Sequence, residues 1–118
     1  MIIIVNDKSN RCNSYVGFQN QTQQTITIAS ESCFNHEDIS HELLHGAGMF
    51  HEHNREDRDE FIDIHENCII QEKLSQFKKT PQASTYGFYD PASIMHYSST
   101  DQSRDGCPSF TSKVCYFM

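Results

Sequence analysis

The stretch His41-Glu42-Leu43-Leu44-His45-Gly46-Ala47-Gly48-Met49-Phe50-His51 decides how the rest of the chain is read. Residues four apart on a helix lie one turn above each other on the same face. A helix over about residues 36–47 lets His41 and His45 aim one imidazole nitrogen each at a single point. Gly48 can adopt a positive φ at no steric cost, so the chain can turn sharply there and swing His51 back toward the same point. Zinc takes nitrogen ligands in a tetrahedral array, and three protein ligands leave a fourth position open, as in catalytic sites. Glu42 is displaced around the helix from the His41/His45 line, so it is expected to reach water at that position. There it serves as general base while the water oxygen attacks a carbonyl carbon, and later returns a proton to the leaving amine. A bare His-Glu-x-x-His pentapeptide is a weak signal and often marks a surface helix. Gly48 and His51 at their spacing make the pattern far more specific. One zinc ion per chain is expected.

Outward from this stretch, Asn35 stands three residues before Asp38, as an N-cap ahead of an acidic first turn does. Gly46 and Gly48 are expected to stop the helix. Thr25-Ile26-Thr27-Ile28 alternates with period two and reads as an edge strand with one wet face. Tyr15-Val16-Gly17-Phe18 is a short β-prone piece, and Gln19 to Gln24 a polar loop. Ile2-Ile3-Ile4-Val5 reads as a buried strand that begins abruptly, as though the chain started in mid-sheet, followed by a polar turn from Asn6 to Arg11. It has neither the basic start nor the apolar length of a signal peptide. Downstream, Glu52 to Glu60 is densely charged and reads as irregular, and Phe61, Ile62 and Ile64 form an apolar patch. A second helix is expected near Glu66 to Lys78, with Ile69, Ile70, Leu74 and Phe77 on one face.

The chain has 118 residues, enough for one domain, and 36% are apolar, which is lean for a closed core. A formal net charge of -7 excludes electrostatic steering toward nucleic acid or anionic membranes. No apolar run is long enough to span a bilayer. Five cysteines point to an oxidising compartment, and the odd count leaves one without an intrachain partner. Cys107 and Cys115 can close a small loop, for which Cys68 competes. His36, His53 and His65 read as solvated or structural.

The pattern through His51 is the metzincin signature. Four features make the chain resemble the astacin branch of that superfamily: the continuation His51-Glu52-His53-Asn54-Arg55-Glu56-Asp57-Arg58-Asp59; the following Phe61-Ile62-Asp63-Ile64-His65-Glu66-Asn67; the Met-turn Ser93-Ile94-Met95-His96-Tyr97; and Cys12-Asn13-Ser14-Tyr15-Val16-Gly17 with Cys33. The likeness runs from about residue 2 to residue 98. It implies an α+β, metzincin/astacin-like catalytic domain: a small mixed sheet with an active-site helix, lacking the family's first strands, first helix and C-terminal helix. The single, partial domain would cover 1–118, with an upper half over 1–50 and a lower half with the Met-turn over 51–118. The resemblance implies a secreted zinc endopeptidase acting on internal bonds of an extended polypeptide. It makes His41, His45, His51 and Tyr97 the metal ligands, Glu42 and Tyr97 the catalytic residues, and Met95 an apolar floor under the metal. It pairs Cys12 with Cys33, and matches Glu52 to the residue that anchors the family's mature N-terminus. Substrate would add as a strand to an edge near Thr25 to Ile28. The competing readings are a shortened chain that binds zinc without turnover, and a zinc aminopeptidase whose third ligand is a glutamate. His51 and the Met-turn argue against the latter.

Overall fold

The computed structural model describes residues 1–7, 11–29, 33–104 and 106–113. The chain divides into two compact units, Met1–Phe50 and His51–Met118, each with its own packing.

The first unit is a three-stranded mixed sheet with one helix. Strand β1 (Ile2–Asp7) runs parallel to β3 (Gln24–Ala29), with Ile2 opposite Gln24 and Asp7 opposite Ala29. The two-residue β2 (Asn13–Ser14) lies antiparallel on the other side of β3. The order β1-β3-β2 makes β3 the central strand, which corrects the expectation of an edge at Thr25 to Ile28. Its period-two pattern survives because only one face is covered: Ile26 and Ile28 are buried and Thr25 is exposed. The edges are β1 and β2. Ile2, Ile4 and Val5 are 51%, 57% and 40% exposed, so the strand at 2–5 exists but is not buried, since among the described residues β1 pairs only with β3. It also continues through Asn6 and Asp7, where a turn was expected. Tyr15 to Phe18 is irregular, the β-structure lying at Asn13–Ser14 instead. Gln24 belongs to β3. Its side chain donates to Gly17 O at 2.8 Å and accepts from Gln19 N at 3.2 Å, ordering the preceding loop.

Helix α1 spans His36–Gly46. Asn35 caps it as expected, its Oδ1 accepting from Asp38 N at 2.8 Å. A Cβ at Gly46 would lie 3.0 Å from Ile26 Cδ1, so glycine lets α1 press closely on β3. The expected Cys12–Cys33 disulfide is formed beside this sheet.

The second unit pairs β4 (Ile62–Ile64) antiparallel with β5 (Phe110–Ser112). Its core gathers Ile62, Ile69, Phe77, Tyr89 and Phe110, with Phe61 stacked on Tyr89 at 4.5 Å. The charged segment after His51 forms 3-10 turns at Glu52–Asn54 and Arg58–Glu60. The helix expected over 66–78 is two 3-10 segments, Glu66–Cys68 and Gln71–Phe77. Ile69 and Ile70 between them are extended: Ile69 bridges Ser103, and Ile70 N donates to Gln102 O at 2.9 Å. Those long-range bonds within the chain take the place of helical ones. Cys68 pairs with Cys107, resolving the open choice among the late cysteines; Cys115 lies outside the described residues.

Two arginines organise this unit. Arg55, 3% exposed, forms a fork with Asp57 and bonds Glu52, while also donating to the carbonyls of Thr85, Gly87 and Phe88. Arg58 donates to His53 O at 2.8 Å and Phe77 O at 2.7 Å, and pairs with Asp59. The charge-rich run is therefore a scaffold of buried cations with satisfied donors.

His53 is fully buried, and burial, aided by His51 and His96, pushes its imidazole down from 6.5 to about 2. Burial also lowers His96. Between about 2 and 6.5 the unfolded chain binds the His53 proton and the folded chain does not, so stability falls as pH drops below 6.5. Asp57 and Asp59, held below 3.8, add to this only at lower pH. Urea unfolding of metal-free protein should lose up to about 1.4 kcal/mol per pH unit through His53 as pH falls from 6.5 toward 4.5. A flat profile over that window would contradict the burial of a neutral ring. Removing the Cys68–Cys107 link, which closes a loop of 39 residues, with Cys68→Ser and Cys107→Ser should cost about 2–4 kcal/mol. That loss is read as a lower urea midpoint, and an unchanged midpoint would show the link to be stabilising nothing.

Candidate metal centre

His41 and His45 sit one turn apart on α1, and their ring centroids are 4.6 Å apart with the planes at right angles. Two backbone contacts fix this end of the helix: Gly17 N and Gly48 N both donate to His45 O, at 2.8 and 2.9 Å. The reversal follows at Gly48, whose φ of +106° is one that side chains with a Cβ rarely adopt. Met49 N donates to Leu44 O at 3.0 Å, closing the turn, and the chain then reaches His51. One ring nitrogen from each of His41, His45 and His51 lies within 4.8 Å of the others, the grouping that the spacing predicted.

The protonation pattern of His45 suits a metal ligand. Its Nδ1 is 2.8 Å from Met49 O. A carbonyl only accepts, so Nδ1 carries the proton and Nε2 keeps its lone pair. Burial lowers the pKa of His45, with the Met49 contact opposing, which favours the neutral ring that ligation needs. The Met49 carbonyl was not legible in the sequence, because backbone acceptors leave no mark on residue type.

Glu42 is buried on the same helix, and its Oε2 accepts no hydrogen bond from the described residues. Burial raises its pKa; the neighbouring His41 opposes this and Asp38 adds to it. An unsatisfied buried carboxylate oxygen is costly to maintain. On the helix that carries His41 and His45, and next to His41, it marks a place where a proton-bearing group belongs. The donor set and this orphaned oxygen together fit a zinc ion with its water.

The remaining predicted residues lie in the second unit. Met95 is 1% exposed, and its carbonyl accepts from Glu52 N at 2.9 Å, tying the Met-turn to the residue after His51. The turn itself closes through His96 N to Ser93 O at 2.9 Å and Met95 N to Ser93 Oγ at 3.1 Å. Tyr97 packs its ring 4.8 Å from that of His51, while its hydroxyl donates to Gln76 Oε1 at 3.0 Å. The Glu52 carboxylate accepts from Arg55 and from Asp90 N, both at 2.9 Å. His53 and Gln76, next to these groups, were not singled out from the sequence as parts of the site.

A sequence profile of the peptidase family described as Astacin matches residues 1–115, further than the motifs alone reach. The chain is 41% identical over 105 residues to the zinc metalloproteinase nas-14 of Caenorhabditis elegans, covering 86% of this chain and 21% of that protein. It is 44% identical over 98 residues to nas-6 of the same organism, covering 80% and 28%. With the low choriolytic enzyme of Oryzias latipes it shares 36% identity over 94 residues, covering 80% and 34%. Among solved structures, high choriolytic enzyme 1, a hatching enzyme zinc-protease from Oryzias latipes, matches with a TM-score of 0.86 and 33% identity, over 95% of this chain and 55% of that one. The chain thus spans about a fifth to a third of these curated relatives. With its α+β architecture, its clustered His41, His45 and His51 and a family profile over nearly its whole length, the chain belongs to the astacin family of zinc metalloproteases.

Proposed function

We propose that this chain is the catalytic part of a zinc endopeptidase that cleaves internal bonds of extended polypeptides outside the cell. The observation that carries the reading is the convergence of His41, His45 and His51, with Glu42 following His41 on the same helix and its buried Oε2 having no partner among the described residues. The three histidines would hold the metal. Zinc, when bound, acts as a Lewis acid and brings the pKa of its water to about 7.

Glu42 then takes the proton as the carbonyl carbon is attacked. Its burial raises its affinity for that proton, which suits a group that must keep it until the amine leaves. Tyr97, whose hydroxyl rests on Gln76 Oε1, would on release be free to join the histidines in holding the metal or to donate to the oxyanion of the tetrahedral intermediate; its ring placement against His51 supports this. Met95 forms the apolar floor. A substrate strand would pair along the outer edge of β2, the short antiparallel edge strand, rather than with β3, which has both neighbours filled. Two disulfides and relatives that include hatching enzymes support an extracellular setting. No helix among the described residues is long and apolar enough to cross a membrane.

A second reading, zinc binding without turnover, is favoured by one observation: the apolar face of β1 is open to solvent. One pair of measurements separates the two. Elemental analysis should find one zinc per chain in the wild type and in Glu42→Ala. In a protein-digestion assay the substitution should lower cleavage by roughly 10²–10⁴-fold. Cleavage surviving in Glu42→Ala would remove Glu42 from the reaction. Zinc without any cleavage in the wild type would leave the second reading standing.

A further inference from the structure

His53 has no part in the chemistry above, yet it is fully buried and in ring contact with two groups that do, His51 and Tyr97. Its ring centroid lies 5.0 Å from that of His51, inclined by 17°, and 4.3 Å from that of Tyr97, inclined by 29°. With the 4.8 Å between His51 and Tyr97, the three rings form a closed triangle of contacts. Phe77 packs against both His53 and Tyr97 from the far side, at 5.4 and 5.7 Å.

Hydrogen bonds set the orientation of the ring. Tyr97 N donates toward His53 Nδ1 at 3.4 Å, and His53 Nε2 faces Gln76 O at 3.3 Å. A backbone N–H only donates and a carbonyl only accepts, so one tautomer satisfies both: Nδ1 bare, Nε2 protonated. Gln76 closes the circuit, because its side-chain Oε1 accepts the Tyr97 hydroxyl at 3.0 Å. His53 O is itself anchored by Arg58.

We propose that His53 is a positioning residue for the metal centre, fixing the ring of His51 and, with Gln76, holding Tyr97 in register beside it. The role rests on the zinc-peptidase reading and adds to it. His53 is not a ligand; it acts through His51 by ring contact and through Tyr97 by a main-chain bond at one end and the Gln76 bridge at the other. The hydroxyl of Tyr97 must leave Gln76 before it can serve metal or substrate, so Gln76 sets how readily it moves.

The test uses cobalt-substituted protein, whose visible absorption reports ligand number and geometry, together with zinc affinity from chelator competition. His53→Phe keeps an aromatic ring and loses both nitrogens. It should shift the cobalt spectrum, weaken zinc about tenfold, and lower kcat with KM unchanged. Gln76→Leu, at a half-buried position, frees the Tyr97 hydroxyl and should shift the cobalt spectrum with little change in thermal stability; Gln76→Glu, which keeps an acceptor, should restore it. Ile69→Val, a core change in the same unit, should lower the melting temperature and leave the spectrum as in wild type. Cobalt spectra and zinc affinity unchanged in His53→Phe and Gln76→Leu would reduce His53 to core packing and overturn the proposal. If His53→Phe does not fold, the Gln76→Leu spectrum decides. A wild type that takes up neither metal would instead bring down the zinc reading itself, a failure visible before any variant is made.

Discussion

A helix can offer two imidazoles to one point, but the next residue on the same stripe would lie a further turn away. The third nitrogen has to return along a reversed chain, and at Gly48 that reversal is made with φ at +106°. The consequences spread from this one constraint. Because the turn is tight, Met49 O falls against His45 Nδ1 and selects the tautomer that leaves Nε2 with its lone pair. Because α1 must end in a fixed place, His45 O is held twice, by Gly17 N and Gly48 N. Gly46 lets the helix lie close to β3, so His41 and His45 are carried on a braced element and not on a free one.

On the far side of the turn, rigidity comes from buried charge. Arg55 and Arg58 would be expensive as bare cations in a core. Here their donors are taken up by Glu52, Asp57, Asp59 and five main-chain carbonyls. The carbonyls belong to two 3-10 segments, at 53 and 77, and to the irregular stretch at 85–88. The arginines hold those segments in place of a helix or sheet. The small apolar core and the Cys68–Cys107 link then close a unit in which the Met-turn and Tyr97 are set next to His51.

Much of the site was legible in residue type and spacing, because the chemistry is local. His41, Glu42, His45, Gly48 and His51 fall within eleven residues, and helical geometry plus one glycine suffices to relate them. The Asn35 cap was legible for the same reason. The fold was read less well where distant segments compete. Ile69 and Ile70 carry a helical pattern, yet pairing with Ser103 and Gln102 extends them. Thr25 to Ile28 alternates like an edge strand, but alternation records one dry face and says nothing of how many neighbours a strand has. His53, taken for an ordinary structural histidine, is structural in a particular place, against the ring of His51.

The sequence by itself determined the grouping of His41, His45 and His51, the capped helix that carries the first two together with Glu42, and the family motifs around them. These depend on short-range geometry, in which a few φ/ψ choices fix where side chains point. Only the tertiary structure decided which strand is central, which cysteine pairs with Cys107, which tautomer His45 holds, and that His53 and Gln76 frame Tyr97. Those outcomes arise from contacts between residues far apart in the chain, where main-chain donors and acceptors, identical at nearly every position, choose their partners by packing and not by side-chain type.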